Sequence, residues 1–207
     1  MRKLILQEFV TLEGFAAGPR NSVDFIPAAT KNDGSFGREQ LALMEEVDAI
    51  LLGRITYEMF ASYWPNAKGA EQAFGDRMSA TPKTVFSRTL DRAPWGSWPE
   101  CRIVRTDPAE EVRALKRASA KNIVMWGSLS VAQHLMTAGL VDEYRLVVCP
   151  VVLGGGRPLF ADRTPIDMAL MTAKTLDRGA VYLRYEQGGQ GAKDARYSYA
   201  TAASSRP

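Results

Sequence analysis

The stretch ILLGRITYEMF, Ile50 to Phe60, changes character in its middle. Ile50, Leu51 and Leu52 form a short apolar run of the kind that makes a strand buried on both faces. Gly53 ends the run, and the residues after it space their apolar groups as a helix does. A strand that passes through glycine straight into a helix leaves a row of free backbone N–H groups at the junction. Such a row is an anion site. Gly53 has no Cβ and lets a ligand approach the backbone closely. Arg54 adds a planar fork suited to phosphate, and Thr56 adds a hydroxyl. Alone, the pattern is equally that of an ordinary strand-to-helix turn with a surface arginine.

Working outward, the same pattern recurs. KTVFSR (residues 83–88) ends its strand in Ser87-Arg88, and NIVMWGSLS (residues 122–130) ends its strand in Gly127-Ser128 and opens a helix. Singly, these are a charged turn and a helix N-cap. Together, three strands finishing in small, hydroxyl or cationic residues point to one ligand with several phosphates. It is not a Rossmann site: LGGGRPLF carries Gly154, Gly155 and Gly156 without G-x-G-x-x-G spacing, and a flexible turn is the simpler reading.

Between these points strands and helices alternate. Strands are expected at 3–12, 49–53, 83–88, 101–105, 122–126 and 142–153, the last with Pro150 at a bulge or edge. Helices are expected at 36–47, where Leu41, Met44 and Val47 fall three apart, from 54, and from 128 to a stop at Gly139. A further helix follows Asp107, an N-cap with Pro108 behind it and Glu110 completing a capping box. Residues 17–34 read as loop and residues 64–82 as irregular with one short helix. Residues 167–175 and 180–186 read as a closing hairpin about Asp177-Arg178-Gly179. The sum is an α/β chain with a mostly parallel central sheet and an antiparallel C-terminal hairpin. A single domain is expected over residues 1–187, with a mobile tail over 188–207, where apolar residues run out.

Composition narrows the function. In 207 residues, 26 Lys and Arg stand against 23 Asp and Glu, a net charge of +3, too small to argue for nucleic acid. No apolar run reaches membrane-span length, and MRKLILQEFV reads as a strand rather than a signal peptide, so a cytoplasmic protein is expected. Two cysteines and one histidine leave no ordinary zinc site; Cys101 and Cys149 read as buried thiols, and His134 as structural or solvent-exposed.

The first strand ending TLEGFAAGP, LLGRITYE, VFSRTL, VMWGSLSVAQHL and AGLVDEYRLVVCPVVLGGGRPLF together span about residues 3–186. In these elements the chain resembles the dihydrofolate-reductase-like superfamily, and most of all stand-alone relatives of the reductase domain in bifunctional riboflavin-pathway deaminase/reductases. The resemblance implies a three-layer α/β/α fold and an NADPH-dependent reductase. It implies that Gly53, Arg54, Ile55 and Thr56 hold the cofactor phosphates and that Gly127, Ser128 and Leu129 hold the pyrophosphate. Ser87 and Arg88 would meet the 2′-phosphate, and Phe15, Ala16 and Ala17 would line the nicotinamide, with Phe15 also on the substrate side. Paired glycines stand in dihydrofolate reductases where this chain has Gly127-Ser128. The H-x-E and P-C-x-x-C motifs of the deaminase domain are missing, which excludes deamination here.

For the proton that accompanies hydride transfer, Asp24 in NSVDFIP is the candidate, with Phe25 beside it on the substrate; an apolar surround would raise its pKa. Gly155 and Arg157 could take a substrate phosphate. Trp64 and Trp126 are stacking or core residues. The substrate class stays open between a ribosylaminopyrimidine phosphate and a pterin. A flavin- or deazaflavin-dependent reductase and a nucleotide-binding module without turnover are the other readings. A homodimer is also implied.

Overall fold

The computed structural model describes residues 2–31, 34–118, 120–160 and 165–188. The tail expected beyond residue 188 lies outside the described residues. One eight-stranded sheet organises the rest, with strand order β5-β4-β3-β6-β1-β7-β10-β9. Its strands are β1 (Leu4–Val10), β3 (Val47–Gly53), β4 (Lys83–Phe86), β5 (Arg102–Val104), β6 (Asn122–Trp126), β7 (Glu143–Val148), β9 (Met168–Thr175) and β10 (Val181–Gln187). The first six pair in parallel, and β10 runs antiparallel to both β7 and β9. A separate two-stranded ribbon joins β2 (Phe15–Ala17) to β8 (Arg157–Pro158).

Helices cover both faces. On β1, Leu4, Leu6 and Val10 point to α5 (Pro108–Arg117) and α6 (Leu129–Thr137), in one apolar cluster with Val112, Ala132 and Leu135. Ile5, one residue out of phase, joins Leu43, Met44, Tyr57, Phe74 and Met78 from α2 (Gly34–Glu46), α3 (Arg54–Tyr63) and α4 (Gln72–Ala80). A third cluster holds Phe25 and Ala29 of α1 (Phe25–Thr30) against Val147, Cys149 and Tyr182. Burial on both faces explains why the parallel strands read as unbroken apolar runs.

Local signals explain the helix ends. Asp107 caps α5 by accepting from Ala109 N–H at 2.8 Å, with Pro108 at the first position, acids in the first turn and Lys116 and Arg117 in the last. The bond goes to Ala109, one residue short of the Glu110 contact that a capping box uses. Gly139, with φ 65°, closes α6 through bonds from Gly139 and Leu140 N–H to Met136 and Leu135 carbonyls. The hairpin turns at Gly179, φ 84°.

Two expectations are corrected. The run 142–153 is not one strand: β7 stops at Val148, because beyond it Cys149 bonds back to Val10 and the chain leaves the sheet before Pro150. Residues 17–34 are not all loop, since α1 buries Phe25 and Ala29, two apolar residues four apart. The short helix expected after Trp64 is α4, nine residues long, whose Phe74 and Met78 seal the α2–α4 face. Both thiols are buried and free, and burial pushes each up to about 11.

Candidate active site

Parallel pairing brings the carboxyl ends of β5, β4, β3, β6 and β1 onto one edge of the sheet, where helices begin and ligands bind. Gly53 ends β3 and caps α3; Gly127-Ser128 links β6 to α6 across from it. The two junctions interlock. Ser128 N–H donates to Thr56 Oγ1 at 2.9 Å, and the two hydroxyl oxygens lie 3.4 Å apart. A Cβ on Gly53 would fall 1.8 Å from Ser128 Oγ, and one on Gly127 would fall 2.4 Å from Thr56 Oγ1. Both positions therefore require glycine for proximity. Gly127 and Ser128 are left-handed, with φ 59° and 52°. For Ser128 this conformation costs about 1–2 kcal/mol, and the Thr56 bond offsets part of it.

At the far side of this edge lies a cleft of ≈ 610 Å³. Its walls are Phe86 to Arg88 at the end of β4, Val104 to Pro108 at the end of β5, and Ser130, Val131 and His134 of α6. Ser87 Oγ accepts from Thr89 and Leu90 N–H, which shapes the turn and leaves Arg88 exposed. Arg105 bonds the Leu90 carbonyl. His134 Nε2 lies 2.7 Å from Asp107 Oδ1. The Ala109 N–H bond, and then His134, hold the Asp107 carboxyl below the usual range.

Arg54 is exposed and pairs with Glu58 at 2.8 Å one turn on, and Ile55 is 65% exposed beside it. Glu58 thus holds the guanidinium. Leu129 opens α6. Of the expected cofactor residues, Gly53, Thr56, Gly127 and Ser128 are in contact; Ser87 and Arg88 line the neighbouring cleft. Arg105, Thr106 and His134 line the same cleft, outside the expected set. The strand-end rule already applied to Ser87-Arg88 would have found Arg105-Thr106, since CRIVR also ends in a cation followed by a hydroxyl.

The residues expected on the substrate side are carried by the small ribbon and the segments beside it. Phe15 pairs with Pro158 and Ala17 with Arg157, and Glu13 clamps the glycine turn by accepting from Leu153 and Gly154 N–H at 2.7 and 2.9 Å. Ala16 is buried in the cluster that also holds Leu4, Val10 and Leu159. Gly155 has open space around it. Arg157 is exposed and bonds Asn21 Oδ1 at 3.1 Å. Asp24 departs from expectation. It is exposed and accepts from the Ser22 hydroxyl at 2.7 Å, so the apolar surround is not formed: Phe25 turns away into the third cluster. Trp126 is buried and packs edge-on with Phe74, which itself meets Trp64 at 4.8 Å.

The buried carboxyl near this edge is instead Glu8 on β1. It is 7% exposed, and burial pushes it up to about 8, with the backbone N–H groups of Gly127 and Phe9 pulling the other way. Between its ordinary pKa of 4.5 and about 8, the unfolded chain has released this proton and the folded chain keeps it. Stability should therefore fall as pH rises through that window and level off above it, at about 1.4 kcal/mol for each unit. Urea midpoints from pH 5 to 8 should show that slope in the wild type and lose it in Glu8→Gln. Equal slopes would place water at the carboxyl.

The model of the RibD C-terminal domain family matches residues 2–182. The chain is 31% identical over 191 residues to the Bacillus subtilis (strain 168) protein YyaP, covering 91% of this chain and 96% of that one. A candidate riboflavin biosynthesis protein of Shewanella sp. PV-4 shares the fold with a TM-score of 0.70 at 21% identity, over 90% of this chain and 99% of the other. A dihydrofolate reductase from Enterococcus faecalis, complexed with NADP(H) and RAB-propyl, does so with 0.57 at 14%, over 90% and 97%. The fold is thus dihydrofolate-reductase-like. With the family model spanning nearly every element of the sheet, the chain belongs to the RibD C-terminal domain family.

Proposed function

We propose that this protein is an NADPH-dependent reductase of a small heterocycle of the ribosylaminopyrimidine type, as in the reductase step of riboflavin biosynthesis. The observation that carries the reading is the cleft at the ends of β4 and β5. Two guanidinium groups, Arg88 and Arg105, share it with the Ser87 and Thr106 hydroxyls, a donor set for a phosphate monoester. NADPH has such a group on its adenosine ribose and NADH does not. From there the junctions at Gly53–Arg54–Ile55–Thr56 and Gly127–Ser128–Leu129 offer helix N-termini to the remaining phosphates. Phe15, Ala16 and Ala17 would line the nicotinamide, and NADPH bound there would supply the hydride.

The chain's own residues bind and orient. Phe15 and Ala16 keep water from the transfer, Arg157 beside Gly155 takes a substrate phosphate, and Asp24 at the rim anchors the substrate or relays a proton through water. A pterin has no phosphate to offer Arg157. The edge strand β9 exposes Leu170 and Met171 by 55% and 52%, which supports a homodimer through this side of the sheet. Among the described residues no helix is long and apolar enough to cross a membrane.

Calorimetry with NADPH and NADH tests the cofactor. Wild type should prefer NADPH, and Arg88→Ala should lose about tenfold or more for NADPH, with little change for NADH, since a charge-assisted hydrogen bond contributes roughly 1.5–3 kcal/mol. Equal binding of both nucleotides by wild type would remove the assignment. A yellow protein that binds neither would favour flavin or deazaflavin.

A further inference from the structure

We propose that Glu8 is a positioning residue that holds the Gly127–Ser128 turn in the geometry that receives nucleotide phosphate. The proposal rests on the nucleotide reading above and deepens it.

Glu8 is out of place on chemical grounds. It stands on β1 between Leu6 and Val10, on the face that α6 covers, where every other position is apolar. Its Oε1 is buried without a hydrogen-bond partner. The polar groups beside the carboxyl are the backbone N–H of its neighbour Phe9 and that of Gly127. Gln7 pairs with Trp126 in the β1–β6 ladder, which sets Glu8 level with the first residue of the turn. That turn carries two successive left-handed residues, one of them a serine. The Glu8 carboxyl, level with Gly127 on one side, and the Thr56 hydroxyl, accepting from Ser128 N–H on the other, bracket the turn. The N–H groups that follow are left free for an anion.

A carboxyl sealed among apolar groups stays protonated, consistent with its upward shift to about 8. Only the neutral acid is compatible with phosphate arriving at the same turn; once ionised it repels that phosphate. The ionisable groups on the covering elements are few. Tyr144 of β7 is pushed up to about 12 and is neutral throughout. Glu143 and Arg145 of β7 lie on the opposite face, where Arg145 meets Glu46 of α2. His134 of α6 is bonded to Asp107. On α5, Glu111 pairs with Arg102, Lys116 with Asp142. Arg157 of β8 bonds Asn21.

The test compares wild type, Glu8→Gln and Glu8→Leu in NADPH titrations from pH 6.5 to 9.5. Any pH dependence from His134 or from the nucleotide itself is common to wild type and Glu8→Gln, so their difference reports Glu8. Above pH ~8 wild-type affinity should fall about tenfold per unit relative to Glu8→Gln, because only the protonated fraction is competent. Glu8→Leu should bind weakly at every pH while circular dichroism shows the ordinary fold. In nucleotide-free protein, the Gly127 and Ser128 amide resonances should titrate with a midpoint near that of Glu8 in wild type and stay constant in Glu8→Gln. Matching wild-type and Glu8→Gln profiles, or wild-type affinity in Glu8→Leu, would overturn the proposal. If NADPH binds to none of the three, the cofactor reading fails, and the amide titration alone decides: resonances that do not move with pH overturn the role of Glu8.

Discussion

Replacing Glu143 by alanine should destabilise the protein by about 3–5 kcal/mol, the cost of stranding a buried charge. Glu143 is fully buried and receives Arg145 Nε at 2.6 Å and Arg184 Nη2 at 2.9 Å. Arg145 is itself 3% exposed and reaches Glu46 at 2.6 Å, so one network ties β7, β10 and α2 together. Removing the carboxylate leaves a guanidinium in the interior with half its partners. The melting temperature should drop by roughly 10 °C at the usual scaling for a chain of this size. Replacing Glu143 and Arg145 together by methionine should cost less than Glu143→Ala alone, because the most deeply buried charge is removed with its partner, and the part-exposed Arg184 still has Glu186 nearby. A loss below ~1 kcal/mol in thermal or urea unfolding of Glu143→Ala would show that water reaches Arg145.

The second large effect is on binding. Gly53→Ala should weaken NADPH about a hundredfold, or ~2.7 kcal/mol, with a much smaller change in stability. Gly53 has φ −92°, which alanine adopts freely, so backbone strain is not the cause. The cause is contact: the new methyl would meet Ser128 Oγ at 1.8 Å and Ser128 Cβ at 2.3 Å. Ser128 must move, its bond to Thr56 breaks, and the junction that presents α6 to the phosphates opens. The double variant Gly53→Ala with Ser128→Gly removes the obstructing atoms and should recover much of the affinity. An unchanged dissociation constant for Gly53→Ala in calorimetry would separate this junction from the nucleotide.

Much of the fold is legible along the chain because its signals are local. Apolar runs closed by glycine mark β3 and β6, Asp107-Pro108 marks the start of α5, and Gly139 and Gly179 mark turns that need left-handed backbone. The strand-end pattern at Gly53-Arg54, Ser87-Arg88 and Gly127-Ser128 is local too, so most of the expected cofactor residues could be named. Where reading failed, the deciding forces were not local. β7 ends at Val148 because its partners end there, although apolar residues continue to Leu153. Asp24 has apolar neighbours in sequence, but Phe25 turns into the core and the carboxylate faces solvent.

The sequence by itself therefore determined the alternation of strands and helices, the parallel sheet and the residues that could hold phosphate, since these depend on spacing and backbone chemistry. Only the tertiary structure decided which carboxyl is buried. Glu8 looks like a polar interruption in LILQEFV, and its weight comes from the elements that close over it. Desolvation is a property of the surrounding packing, made by α6, β6 and β7 from distant parts of the chain, and no window of sequence around Glu8 contains it.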